Sequence, residues 1–450
     1  MNVMWLYNHL PVKGQNLACY LEGVKRYYYI FGRSFKNELR VYESHNNWSY
    51  EQRCEYRNAK LQHLIHHCYD TVPYYRKKFD EIGISPNDIK TVEDMSLLPI
   101  LTKDVVMNDP CSFISTSFNK KRLVSVSTSG STGACLVLKV PRDYIAKQFA
   151  IWWRFRHNIG ITNDIWQANF GSKVIVPIKQ NFPPFWRYCT PLKQVMFSTF
   201  HGNPTNYYYY FEEINRLRLK WIHGYPSCIV PFASFILERN LKFKHKIEFV
   251  TTGGENLYDY QRSIMFKAFD CMPRTHYGMT ESVANFSERI DGVMEVDEDY
   301  AAVEFVNSGD LCKIVGTNLM NYSMPLLRYD TSDLALIDGS IGTSGRIVKF
   351  VDGRSGDFIL FPNGKKIGAL SALFSDTTSI KEAQIYQAKD YSITIKYVPH
   401  NENFEDDISL VNKLLRERIG DELLITFMRV DKIPRTQSGK LRYVLSDVNS

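Results

Sequence analysis

From about residue 122 to residue 270 the chain alternates two kinds of text, short apolar runs and longer stretches with helical spacing. "RLVSVSTSGSTGACLVLKV" reads as two strands around a polar loop, Arg142 to Asn158 as a helix and "SKVIVPI" as a strand. "NYYYYFEEINRLRLKW" reads as a helix, "IEFVTTGG" as a strand, and the region around Asp259 to Phe269 as a helix. Such alternation predicts sheets covered by helices, an α/β fold. Upstream, residues 51 to 70 read as a helix, followed by helical segments broken at Pro73 and Pro86. Downstream, "GDLCKIVGTNLM", "LLRYDTSDLALID" and "GRIVKFVDGRSGDFILFPNGKKI" read as short strands with glycine turns. The last segment returns to mixed structure, with strands in "AQIYQAKDYSITIKYV", a helix from Ile408 to Ile419 and a strand in "LITFMRV". Glycine and charge interrupt the strands at "DGRSGD", residues 352–357, which places a domain boundary there and predicts domains 1–355 and 356–450.

Composition narrows the function classes. Lysine and arginine exceed aspartate and glutamate by 55 − 48 = 7, spread along the chain with no basic run, which argues against a nucleic-acid binder and suits a protein that handles small anions. The nine cysteines are scattered and never spaced C-x-x-C, so a reducing cytoplasm and no structural zinc are expected. No window reaches the roughly 18 uncharged apolar residues of a membrane span. Near the start, Leu17, Tyr20, Leu21, Val24 and Tyr28 share one helical face, with Glu22, Lys25 and Arg26 elsewhere. This amphipathic helix is expected to pack on its own domain; its aromatic and basic mixture leaves peripheral contact with a membrane surface open.

The stretch "STSGSTG", Ser127 to Gly133, spends seven residues on hydroxyls and glycines between two strands. Such a stretch is common loop punctuation, but successive backbone N–H groups and hydroxyls also make a concavity for phosphate. The pattern G-x-x-x-x-G-K-[ST] fails here, because Gly133 is followed by Ala134, Cys135 and Leu136. A phosphate in this loop therefore needs a lysine from elsewhere. Lys440, in the C-terminal turn "IPRTQSGKLRY", is the candidate.

With "YGMTES", "RYDTSD" and "GRSGD" standing in order between "STSGSTG" and "PRTQSGK", the chain resembles the adenylate-forming superfamily of acyl-CoA synthetases, adenylation domains and luciferases. "LPVKGQNLA", "TVPYYRKKF", "HGYPS" and "NYSMPLLRYDTSDLA" refine the likeness to its phenylacetate-CoA ligase-like branch and, within it, to the CapK proteins. The resemblance covers nearly the whole chain. It implies a large N-terminal domain of helix-covered sheets that binds ATP and acid, and a small mobile α+β C-terminal domain that carries Lys440.

The roles are implied residue by residue. Thr128, Ser129, Gly130, Ser131, Thr132 and Gly133 would enclose the β- and γ-phosphates of ATP. Gly253, Gly254 and Glu255 of "TTGGE" would lie against adenine. In "YGMTES", Tyr277 would stack on the base beside Gly278, Thr280 would reach the α-phosphate and Glu281 would hold Mg²⁺, for which one carboxylate suffices. Asp333 would bind the ribose hydroxyls, with Arg354 nearby. Lys440 would contact the substrate carboxylate and the α-phosphate. His223, Tyr225, Pro226 and Ser227 resemble the acyl-pocket region, to which His201 in "FSTFHGNP" is a weaker addition. Taken singly, Glu281 or Asp333 reads first as an ordinary surface carboxylate and Tyr277 as a core residue, and His223 reads equally as a hydrogen-bonded core histidine.

Two departures from the family pattern stand out. Where related ligases often carry a cysteine-rich zinc turn, this chain reads "GTSGR", Gly342 to Arg346, so no zinc is expected there. At the hinge, where the family usually has Asp or Lys, it has Gly356, which accepts nearly any backbone torsion. The implied activity is ATP-dependent formation of an acyl-adenylate with release of pyrophosphate, then acyl transfer to an amine or hydroxyl of a sugar or amino acid in cytoplasmic steps of surface-polysaccharide synthesis. The alternatives are a coenzyme A ligase with a thiol acceptor, transfer of AMP to a cofactor hydroxyl, and a non-catalytic nucleotide-binding scaffold.

Overall fold

The computed structural model describes residues 3–128, 136–171, 173–354, 359–363, 366–367, 373–374, 377, 379–399, 404–434, 441 and 443–448. Ser129 to Gly133, Gly356 and Lys440 lie outside the described residues, and of Arg354 only the backbone lies within them. The fold is mixed α/β, as the alternation predicts. Its chain divides into two units, each assembled from separated stretches.

One unit comprises Met1–Tyr27, Thr162–Thr275 and Gly353–Ser450. Its first sheet runs in the order Phe249–Gly253, Trp221–Gly224, Gln167–Phe170, Gln194–Phe197, Trp186–Cys189, with only the last strand antiparallel to its neighbour. Helices Pro204–Leu217, Pro226–Glu238 and Asp259–Phe269 connect or follow these strands. The Phe170 ring stacks between Phe197 and Phe232, at centroid distances of 5.2 and 5.3 Å. A second sheet runs Ile425–Arg429, Ile393–Pro399, Ile380–Gln387, Val444–Ser446, and helix Glu405–Ile419 joins two of its strands. The middle pair is antiparallel and both outer strands pair parallel, an α+β arrangement.

"SKVIVPI" does not form the expected strand: Lys173 to Ile178 are irregular, and the parallel strand is the shorter Gln167–Phe170. Pro177 lacks an N–H for a ladder. The Ile175 carbonyl instead accepts from the Tyr7 hydroxyl at 2.6 Å.

The N-terminal helix departs more sharply from expectation. Helix Val12–Ile30 turns its small and polar side inward: Gln15 is buried, and a Cβ on Gly23 would stand 2.5 Å from Cys189 Sγ. The apolar face is the exposed one, with Leu17 and Leu21 each 59% exposed and Tyr28 75%. Arg187 supplies the reason. It is fully buried, and a buried guanidinium must be hydrogen-bonded, so it recruits Gln15 Oε1 along with the carbonyls of Pro184 and Trp186. The neighbouring amide of Tyr188 donates to Asn16 Oδ1 at 3.1 Å.

The other unit comprises Tyr28–Ile161 and His276–Asp352. Helix Tyr50–Thr71 starts at a capping box between Ser49 and Gln52 and packs Leu61, Leu64, Ile65 and Cys68 into a core shared with Phe79, Leu138, Tyr144 and Leu326. Strands Ala301–Ser308, Leu311–Asn318 and Tyr329–Ile341 form an antiparallel meander, and Asn285–Glu288 pairs antiparallel with Met294–Val296. Two motifs that are remote in sequence meet here. Tyr75 of "TVPYYRKKF" donates its hydroxyl to the Pro325 carbonyl and accepts from the Leu327 amide, fixing the segment "NYSMPLLRYD" that leads to Asp333. No helix among the described residues is long and apolar enough to cross a membrane.

Candidate functional site

In the unit centred on the meander, strands Val124–Ser127 and Val137–Val140 pair antiparallel from Val124↔Val140 to Ser127↔Val137. Thr128 fastens the base of the intervening loop: its amide donates to the Leu136 carbonyl at 3.0 Å and its Oγ1 accepts from the Leu136 amide at 3.2 Å. The strands on either side of the glycine-hydroxyl stretch are thus paired up to Thr128 and Leu136.

The turn "GMTES" is held through its backbone. The Tyr144 hydroxyl donates to the Thr280 carbonyl at 2.8 Å, Gln148 Nε2 to the Met279 carbonyl at 2.7 Å, and Asn318 Nδ2 to the Glu281 carbonyl at 2.6 Å. The Thr280 and Glu281 side chains are partly buried. Gly278 is required: a Cβ there would lie 2.7 Å from Asn285 Oδ1, which already accepts from Trp152 Nε1 at 3.1 Å. Tyr277 stacks on Phe286, centroids 4.8 Å apart, and donates its hydroxyl to Asp333 Oδ2 at 2.6 Å. Burial, and then the Asp333 carboxylate, hold the Tyr277 hydroxyl well above its ordinary pKa, so it stays a donor. Two residues singled out separately in the sequence are therefore direct partners. The other acid of "RYDTSD", Asp330, accepts from the Ser332 amide at 2.8 Å and faces Lys313.

In the other unit, "GYPS" and "TTGGE" span the carboxyl ends of neighbouring parallel strands, the usual place for ligands in open α/β sheets. Gly254 has φ +75°, a left-handed turn that sends Glu255 back toward helix Pro226–Glu238. There Glu255 accepts from the Ser227 amide at 3.1 Å and the Ser227 hydroxyl at 3.0 Å, and its negative charge suits a helix N-terminus. Ser227 is thus bound to the "GGE" turn. Thr251 Oγ1 accepts from Trp221 Nε1 at 2.7 Å and stands 2.9 Å from His223 Nδ1, which orients that imidazole. Tyr225 is the residue before this helix and Pro226 its first. His201 stacks on Phe185, with Nδ1 2.7 Å from Ser198 Oγ, and burial pushes its pKa below the ordinary value, leaving it neutral near pH 7.

The segment after Lys440 docks in this same unit. The Leu441 amide donates to Glu255 Oε1 at 3.4 Å. Tyr443 places its hydroxyl 3.1 Å from that of Tyr260 and its ring edge-on to Tyr258, while its carbonyl accepts from the Ile385 amide at 2.7 Å. It therefore ties the second sheet to the helix after "TTGGE". Sequence reasoning missed Tyr443, Tyr258 and Tyr260. The run "YDYQ" has no periodicity to single it out, although the tyrosine three residues past Lys440 was a signal.

The chain is 25% identical to protein CapK of Staphylococcus aureus, with 99% of each chain covered. It is 22% identical to a phenylacetate-coenzyme A ligase of Thermus thermophilus, over 86% of this chain and 95% of that one. Over most of its length the chain is thus similar to CapK and to the phenylacetate-coenzyme A ligases. The model of the CapK C-terminal domain matches residues 359–447. A 2-hydroxyisobutyryl-CoA ligase, in the postadenylation state in complex with R3-HIB-AMP, has the same fold: TM-score 0.67 over 90% of this chain and 91% of that one, at 16% identity.

At "GTSGR" the turn closes on a carboxylate. Glu295 accepts from the amides of Thr343 and Ser344 and from the Ser344 hydroxyl, at 2.8, 3.2 and 2.8 Å. A Cβ on Gly342 would fall 2.2 Å from Glu295 Oε1, so the turn closes on the acid only with glycine there.

Proposed function

We propose that the protein is an AMP-forming ligase that activates a carboxylic acid with ATP as an acyl-adenylate, releases pyrophosphate, and transfers the acyl group to an amine or hydroxyl of a sugar or amino acid in surface-polysaccharide synthesis in the cytoplasm. The observation that carries the reading is the Tyr277–Asp333 hydrogen bond, which sets an aromatic ring and a carboxylate side by side as a base and its ribose require. Phe286 covers one face of the Tyr277 ring, and adenine would use the other. In the first step an oxygen of the substrate carboxylate attacks the α-phosphorus, a P–O bond forms, and the bond to pyrophosphate breaks. Thr280 and Lys440 would neutralise the α-phosphate oxygens, and the stretch Ser129 to Gly133 the departing pyrophosphate. Glu281 would hold Mg²⁺, which when bound supplies charge neutralisation at the phosphates. In the second step the acceptor adds to the acyl carbon and AMP leaves.

A coenzyme A ligase is the second reading, favoured by the likeness to phenylacetate-coenzyme A ligase. An ATP–pyrophosphate exchange screen across aromatic, fatty and amino acids, followed by mass spectrometry with coenzyme A or amine acceptors, separates the two. Exchange with no acid at all would overturn both.

Asp333→Ala is expected to raise the KM for ATP by roughly 10- to 100-fold, because it removes hydrogen bonds to a charged group, and to lower the thermal midpoint by only a few degrees through the lost partner of Tyr277. A variant that simply unfolds would instead make Asp333 structural.

We also propose that residues 356–450 move as a domain about Gly356. Proline fixes φ near −65° and removes the N–H, so Gly356→Pro should hold one arrangement. Either acyl transfer or exchange is expected to fall by about tenfold or more while the other half-reaction survives. A folded variant running both at wild-type rates would remove the hinge.

A further inference from the structure

Among the described residues, large exposed apolar side chains are denser in Met4–Tyr29 than anywhere else. Trp5, Leu6, Leu17, Tyr20 and Leu21 are each 44% exposed or more, on helices Val3–His9 and Val12–Ile30. At about 100° per residue, Leu17, Tyr20, Leu21, Val24 and Tyr28 form one stripe. The opposite side is the one committed to the domain through Gln15, Asn16 and Gly23. Beside these helices, tied to them by the Tyr7–Ile175 hydrogen bond, the irregular segment from Lys173 exposes Ile178 and Phe182 at 67% and 60%.

The charge on and beside these helices is mostly positive. Between Met1 and Tyr27 stand Lys13, Lys25 and Arg26 against a single acid, Glu22, and the adjoining segment adds Lys173 and Lys179 with no acid between them. Lys25 and Glu22 make only a loose surface contact of 3.9 Å, with side chains 80% and 60% exposed, so the lysine remains available to a partner. Tryptophan, tyrosine and leucine among lysines are the chemistry of the water–bilayer interface, where amphipathic rings sit at headgroup level and cations meet anionic lipid. A second copy of the chain fits less well. A two-fold contact through this face would set its lysines against themselves.

We propose that the N-terminal helices dock on the surface of an anionic lipid bilayer, apolar stripe inward, without spanning it. Tethering would hold the adenylating domain at a membrane, where an acceptor carried on lipid is within reach.

Flotation of the full chain with vesicles tests this. Vesicles of phosphatidylcholine mixed with phosphatidylglycerol should bind at least about tenfold more protein than phosphatidylcholine alone, and raising salt from about 0.1 to about 0.5 M should remove most of the difference. The triple variant Leu17→Ser, Tyr20→Ser, Leu21→Ser should lose about tenfold or more of the binding. Its thermal midpoint and its pyrophosphate exchange without vesicles should stay unchanged. Lys13→Glu with Lys25→Glu should abolish the preference for anionic vesicles. Equal flotation of wild type and triple variant, or none with either lipid, would overturn the proposal. So would a concentration-dependent dimer that the triple variant abolishes in the absence of vesicle binding, which would assign the face to a second copy. The readout needs no substrate, so its failure is distinguishable from failure of the ligase reading.

Discussion

Lys440→Ala is expected to lower acid-dependent ATP–pyrophosphate exchange by about 10²- to 10³-fold while changing ATP affinity by less than about tenfold. The asymmetry follows from where the contacts lie. Thr128, Tyr277, Gly278, Thr280, Glu281 and Asp333 belong to one scaffold, fastened by the hairpin base and by the Tyr144, Gln148 and Asn318 hydrogen bonds. These would hold the nucleotide with or without the lysine. The lysine itself would act on charge that develops as the carboxylate oxygen closes on the α-phosphorus, so its loss appears in the rate rather than in binding. Leu441, the next residue in the chain, hydrogen-bonds Glu255 of the "GGE" turn, and Tyr443 is seated against Tyr258 and Tyr260. Tyr443→Ala should therefore mimic part of the Lys440 effect without altering any charge. Unchanged exchange in Lys440→Ala would remove the lysine from the mechanism.

How much of this was legible in the sequence depended on what each residue does. Helix 51–70 was readable as a helix and runs Tyr50–Thr71, begun by the Ser49–Gln52 capping box that the structure shows. Strand Gln167–Phe170 was not, since four residues with one polar neighbour per apolar one carry little period, whereas "SKVIVPI" looked better and failed on Pro177 and the Tyr7 hydroxyl. The helix near the start was readable as amphipathic but not as to which face packs, because that was decided by Arg187, more than 150 residues away. At the site, motif residues were legible one at a time. Their pairings, Tyr277 with Asp333 and Ser227 with Glu255, exist only in three dimensions.

The buried ionic network behind the site was wholly illegible, and it carries the largest expected effect on stability. Arg154 is buried and reaches both Asp299 oxygens at 2.6 and 2.9 Å and Asp297 Oδ1 at 2.8 Å. His45 and Arg53 also face Asp299, at 2.8 and 3.6 Å. Burial alone would raise the pKa of Asp299, but the Arg154 charge, with His45 and Arg53, outweighs it and holds the carboxyl well below the usual carboxylate range. Asp297 ends above its ordinary value, because burial outweighs Arg154 there. Removing Arg154 strips Asp297 of its ion pair and leaves Asp299 only His45 and Arg53, so Arg154→Met should cost about 3–5 kcal/mol. In a unit of this size that lowers the thermal midpoint by roughly 6–20 °C. The exposed pair Glu22–Lys25 provides the control, and Glu22→Gln should change stability by less than about 0.5 kcal/mol. The sign of the pH dependence distinguishes lost charge pairing from lost packing. In the variant the folded-state pKa of Asp297 rises further above its unfolded value, so the folded state binds the extra proton and stability increases as pH falls from 7 toward 5. The gap to wild type should therefore narrow on acidification, and Asp297→Asn added to Arg154→Met should recover part of the loss at pH 7. A gap that stays constant from pH 7 to pH 5 would mean that Arg154 acts by filling space. The Asp297 oxygen that Arg154 leaves over accepts from Asn285 Nδ2 at 2.6 Å, and Asn285 Oδ1 lies against Gly278, so the loss would also loosen the turn that carries Thr280 and Glu281.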